Sequence, residues 1–170
     1  MKKLIFLFTM FLFSMFPAQE NFEVNTLGIG PYKVFMKAIE AEKISNKNLT
    51  VFEEFDKKNS VILLGEIIEI QVQNIYLDEN ETNAKCIISI STQSKKFKTK
   101  EGLGVGDTKE KLIETYKKFS NFSYNQAWDF NTNKYSTTIS EFNIIDLENG
   151  TSLSFKIQNN IVIEIKVSVR

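Results

Sequence analysis

Gly102-Leu-Gly-Val-Gly-Asp-Thr-Lys-Glu-Lys-Leu-Ile-Glu-Thr-Tyr116 decides how this chain is read. It is a glycine-rich turn that opens directly into a helical pattern. Leu112, Ile113, Tyr116 and Phe119 fall at helical spacing and form one apolar stripe. Asp107 followed three residues later by Glu110 has the capping-box pattern, so the spacing predicts a helix over 108–119 with Asp107 as its N-cap.

An earlier stretch, Leu27-Gly-Ile-Gly-Pro-Tyr-Lys-Val-Phe-Met-Lys-Ala-Ile39, is a worn copy. At one constant offset Leu27 matches Leu103, Gly28 matches Gly104, Gly30 matches Gly106 and Lys33 matches Lys109. Pro31 suits the first position of a helix, where its missing N–H costs no bond. Val34, Phe35, Ala38 and Ile39 supply a stripe, so a first helix is expected over 31–41.

Strand-like segments follow each copy. Leu49–Phe55, Val61–Leu64, Ile67–Val72 and a run with Cys86, Ile88 and Ile90 on one face come after the first, with a hairpin expected at Gly65-Glu66. Asn121–Phe130, Thr137–Ile145, Thr151–Ile157 and Ile161–Val169 come after the second. The last strand alternates most cleanly, with Ile161, Ile163, Ile165, Val167 and Val169 on one face and Glu164, Lys166 and Ser168 on the other. Thr92–Lys100 is a polar connector anchored only by Phe97. The expected fold is therefore α+β: two tandem repeats, 19–93 and 94–170, each a helix followed by antiparallel strands, forming one curved sheet of about eight strands with helices on one face.

Ahead of the first repeat, residues 1–18 carry the pattern of a secretory signal peptide. Lys2 and Lys3 precede an apolar run from Leu4 to Phe16 that is too short to span a bilayer, and Ala18 suits the cleavage site. A periplasmic or extracellular product with no stable membrane anchor is expected. The 170 residues are 42% apolar and 25% charged, an ordinary globular balance. Basic and acidic residues both number 21, and loss of Lys2 and Lys3 leaves a slight acidic excess, so no charge field draws nucleic acid. The only arginine is Arg170, which disfavours bidentate phosphate recognition. There is no histidine, which removes the commonest general base and metal ligand. The lone Cys86 sits in an apolar alternating run and reads as a small buried hydrophobe.

Gly102-x-Gly104-x-Gly106 lacks the spacing of a dinucleotide fingerprint and the Gly-Lys-Ser/Thr of a P-loop. Asp107 at the helix start would also repel a phosphate. Glu53, Glu54 and Asp56, and Asp78, Glu79 and Glu81, cluster beside turns without the EF-hand spacing. Asp129 has no partner carboxylate at a recognisable spacing. No cofactor or metal is expected. Aromatic residues concentrate between Tyr116 and Tyr135. They read either as core under the second helix or as a recognition face, with Tyr124, Trp128 and Tyr135 the candidate binding residues.

The pattern Gly-x-Gly-Asp-Thr-x-x-x-Leu-x-x-x-Tyr from Gly104 to Tyr116 resembles a signature of small exported bacterial domains. Two such groups are the β-lactamase inhibitor proteins and the small lipoproteins that assist outer-membrane protein assembly. The inhibitors are similar in plan too, with two helix-plus-strand repeats on one curved sheet. The chain departs from them in having one cysteine, and from the lipoproteins in lacking a lipid-bearing cysteine. The resemblance implies protein binding on the concave sheet face, with no implication that the target is a β-lactamase. A non-enzymatic protein-binding or inhibitor-like module is the expected function. The alternatives are a cell-envelope hydrolase or carbohydrate-active enzyme using carboxylates only, or an envelope protein that binds a small ligand or cation.

Overall fold

In the computed structural model, which describes residues 22–52, 57–75, 84–129 and 132–170, the segment Gly28-Ile-Gly-Pro-Tyr-Lys33 is a hairpin rather than a helix start. Its strands β1 (Glu23–Asn25), β2 (Gly28–Ile29) and β3 (Tyr32–Lys33) pair antiparallel in sequence. Gly30 takes φ +56° at the first turn position, and Pro31 follows with φ fixed near −65°, an order that suits a type II′ turn. Gly28 approaches β3 so closely that a Cβ there would stand 2.1 Å from the Tyr32 carbonyl oxygen. The glycines serve the close approach of two strands. A fourth strand, β7 (Lys98–Thr99), joins β1 in parallel and completes a sheet ordered β3-β2-β1-β7.

Helix α1 (Ala38–Ser45) begins seven residues later than the apolar stripe predicts. Before it, Phe35 N–H donates to Ile87 O and Ile87 N–H donates to Met36 O, both at 2.9 Å, so the chain is pinned to a strand first. Asn46 ends the helix at φ +51°, the left-handed cap that asparagine tolerates.

The larger sheet holds β4 (Asn59–Leu63), β5 (Glu66–Ile75), β6 (Ala84–Thr92), β8 (Phe122–Asp129), β9 (Lys134–Asp146), β10 (Thr151–Gln158) and β11 (Ile161–Val169). Its order is β4-β5-β6-β11-β10-β9-β8, every pair antiparallel. Two meanders thus meet at their last strands, β6 and β11. Register makes the two faces chemically opposite. One row across six strands reads Ile70, Ile90, Val167, Leu153, Ile144 and Phe122. The neighbouring row, pointing the other way, reads Glu69, Ser91, Lys166, Ser154, Asn143 and Ser123.

The apolar face packs into one core with Val24, Ile29 and Tyr32 of the small sheet, Ala38 and Ala41 of α1, and Leu112 and Tyr116 of α2 (Lys109–Tyr116). The expected α+β domain of two helix-plus-strand repeats, with one curved sheet and helices on one face, is therefore corrected. Among the described residues the fold is mostly β, with sheets of four and seven strands and two eight-residue helices. The cause is local. Residues expected to open the first helix are spent on the small sheet.

Two smaller corrections have the same origin in backbone geometry. An irregularity between Gln71 and Val72 leaves Ile88 unpaired and turns Ile87 into the core in its place. The β4–β5 turn is Leu64-Gly65, both at positive φ (52° and 82°), as a type I′ turn requires.

The cap of α2 is shifted by one residue from Asp107. Thr108 Oγ1 accepts from Lys111 N–H at 3.3 Å, while Asp107 accepts from Gly104 N–H at 2.9 Å, Lys98 Nζ at 2.8 Å and Lys111 Nζ at 2.6 Å. Burial alone would raise the Asp107 carboxyl. The bonds from Lys111, Lys98 and Gly104 outweigh it and hold the pKa at about 2, below the ordinary 3.8. A depressed carboxyl stabilises the fold above its unfolded pKa, and that contribution fades as pH falls from about 4 towards 2. At about 1.4 kcal/mol per unit this is roughly 2 kcal/mol. Asp107→Asn is expected to lower stability by about that amount at pH 6, with the gap to wild type closing by pH 2 in urea melts. An unchanged gap across that window would sink the assignment.

Candidate binding site on the edge strand

Among the described residues, β8 closes one side of the larger sheet and pairs only with β9. Up to Gln126 its register is regular, with Tyr124 opposite Phe142 and Gln126 opposite Ser140. Directly opposed side chains share a face, so Phe122 and Tyr124 lie on the core side. Phe122 stacks on buried Phe142 with ring centroids 5.4 Å apart. Tyr124 donates its hydroxyl to Ser140 Oγ at 3.0 Å, and the Lys109 amine stands over its ring at 5.6 Å.

Past Gln126 the ladder breaks. The next pair is Trp128 with Tyr135, so four β9 residues, 136–139, stand against Ala127 alone. Ser136 Oγ gathers this loop by accepting from Thr138 N–H at 3.2 Å and Ile139 N–H at 2.9 Å. Beyond it the indole of Trp128 meets the Tyr135 ring edge to face, with centroids at 5.0 Å and planes at 87°. They remain 42% and 61% exposed. A cleft of about 310 Å³ opens between this hairpin and the β10–β11 turn, with Lys109, Tyr124, Gln126, Ile139 and Asn160 among its walls.

The structure therefore divides the aromatic cluster read from the sequence. Tyr116 is core, Phe119 packs on it at 5.2 Å, and Phe122 covers Phe142. Trp128 and Tyr135 are brought together at the hairpin end. Tyr124, 42% exposed, stays on the core side beside the start of α2, away from the free sheet face. Phe130 lies outside the described residues, as do the signal at residues 1–18 and the acidic groups at 53–56 and 78–81. Among the described residues no group of three or more Cys, Asp and Glu is placed to hold a metal ion. No described helix is long and apolar enough to cross a membrane.

The free face of the larger sheet is polar across its middle strands, with the exposed pair Ile62 and Ile67 at its β4–β5 end. A cleft of about 240 Å³ on it is lined by Lys58, Glu141, Ser154, Lys156, Glu164 and Lys166. Sequence spacing gave no way to pair Glu141 with Glu164, because they lie on β9 and β11. Between them, on β10, stands Lys156, directly opposite both. No family model, no curated protein and no solved structure matches this chain.

Proposed function

We propose that the protein is an exported, non-enzymatic binding module that takes an extended segment of a partner protein along the outer edge of β8, anchored by Trp128 and Tyr135. The observation that carries this reading is the pairing of an open strand edge with an exposed aromatic pair at its end. Natural sheet edges are usually blunted by lysine or proline. Phe122-Ser-Tyr-Asn-Gln-Ala-Trp-Asp129 contains neither, and its one charge is the terminal Asp129. Strand addition draws affinity from main-chain hydrogen bonds and specificity from flanking side-chain contacts. Trp and Tyr contribute most per residue at such contacts. Export rests on the signal pattern of residues 1–18.

The test uses purified protein as bait against cell-envelope and culture-supernatant fractions, beside Trp128→Ala. With its indole outside the hydrophobic core, the variant is expected to keep its fold and melting temperature and to lose a specific partner by about 30-fold in affinity. Trp128 is the only tryptophan, so its emission reports the same event directly. A partner held equally by both proteins would place the interface elsewhere and overturn the reading.

A further inference from the structure

The cleft on the free sheet face shares no residue with the aromatic pair of the reading above, and its walls are mostly charged. Lys58 is already engaged, with its amine 3.1 Å from Glu69 Oε2 and 3.1 Å from Ser91 Oγ. The remaining charged walls are Lys156, Lys166, Glu141 and Glu164, two of each sign. Lys156 stands opposite both carboxylates, and Lys166 stands opposite Ser154 and Ser91. Among the described residues, none of these four closes an ion pair or hydrogen bond, and the Ser154 hydroxyl likewise has no partner. Lys166 is half-buried on β11 at the centre of the sheet. Burial lowers its amine below the ordinary lysine range, with Lys58 and then Lys156 pressing the same way and Glu141 and Glu164 opposing. Desolvated charges left unpaired are costly, and two of each sign facing one cavity are neutralised together by a ligand that carries both.

We propose that this cleft binds a small zwitterion of the α-amino-acid type, with Lys166, Lys156 and the Ser154 hydroxyl taking the carboxylate and Glu141 and Glu164 taking the ammonium. The walls bear no aromatic ring on which a neutral sugar would stack, and their balanced charge selects against a plain anion or a plain cation. A cleft of about 240 Å³ leaves room for a side chain beyond the two charged groups.

Amide chemical shifts of the isotope-labelled protein test this with three probes that share a hydroxymethyl group and differ in their charged groups. L-serine carries both charges, 3-hydroxypropanoate lacks the ammonium, and ethanolamine lacks the carboxylate. L-serine, raised to about 10 mM to fill a site of roughly millimolar affinity, is expected to give saturable shifts at Ser91, Ser154, Glu164 and Lys166. Each single-charge analogue is expected to bind at least tenfold more weakly. Lys166→Met is expected to abolish the response. Glu164→Gln is expected to erase the preference for L-serine over 3-hydroxypropanoate, and it carries the decision if Lys166→Met does not fold. Equal binding of 3-hydroxypropanoate and L-serine to the wild type would reduce the site to a simple anion site and overturn the proposal. So would the absence of shifts at these residues with L-serine, or a Glu164→Gln protein that keeps the wild-type preference.

Discussion

Phe142→Ala is expected to lower the stability of the fold by about 4 kcal/mol, within the 3–5 kcal/mol typical of deleting a buried phenylalanine. The side chain is fully buried on β9. Its ring lies 5.4 Å from Phe122, 6.0 Å from Tyr116 and 6.5 Å from Phe155. It therefore joins the edge strand, helix α2 and the sheet interior at one point. Loss of the ring removes apolar burial and leaves a cavity whose walls are other rings, which close poorly on the space. For a chain of this length the fall in melting temperature is roughly 10–15 °C. Urea unfolding measures it directly, with the midpoint moving and the slope kept. A loss below about 1 kcal/mol would mean that Phe142 does not tie β8 and α2 to the core. The binding reading would weaken with it, because the hairpin bearing Trp128 depends on that support.

How much of this was legible beforehand depended on whether the deciding interaction was local. The alternation Ile161 to Val169 is a local signal, and from Glu164 onward it placed the faces of β11 correctly, with Ile165 and Val167 in the core and Glu164 and Lys166 on the polar side; ahead of that, the irregularity that leaves Ile163 unpaired buries Val162 and exposes Ile161. Leu112 and Tyr116 at helical spacing likewise identified the buried face of α2. The first helix failed because its glycines and proline suit two structures equally well. A turn opening a helix and a turn joining two strands both want Gly followed by Pro, and the choice was made by pairing with β1 and by the docking of residues 35–37 on β6. Nothing within the segment itself encodes those partners. The phase error at Ile88 is similar in kind, since one unpaired residue inverts every later side chain and leaves no mark in the hydrophobic pattern.

The candidate sites divide along the same line. Trp128 and Tyr135 stood out because large aromatics in a polar stretch are conspicuous one residue at a time. Their contact depends on four β9 residues looping out opposite Ala127, which the sequence does not announce. The charged cleft is less legible still. Its members come from β9, β10, β11 and the approach to β4, and they converge only because β6 lies beside β11. Each Lys or Glu taken alone is an ordinary solvent-facing strand residue, and the information resides in strand order.

Gly28→Ala is the second large effect, and it tests the correction to the fold itself. The new Cβ would stand 2.1 Å from the Tyr32 carbonyl oxygen and 3.0 Å from the Lys33 Cα, both backbone atoms of β3. Neither can rotate away, so the hairpin must open, and with it the seating of Ile29 and Tyr32, which are fully buried. Overpacking of this kind costs about 3 kcal/mol. Gly65→Ala supplies the control. It has a positive φ of 82° but nothing within 4 Å of a Cβ, so its cost is the left-handed backbone alone, about 1–2 kcal/mol. Were residues 28–33 the entry to a helix, alanine at position 28 would meet no strand and would cost less than alanine at 65. The order of the two losses in urea melts, Gly28→Ala exceeding Gly65→Ala, therefore separates a small sheet packed on the core from a helical start, and the reverse order would contradict the hairpin.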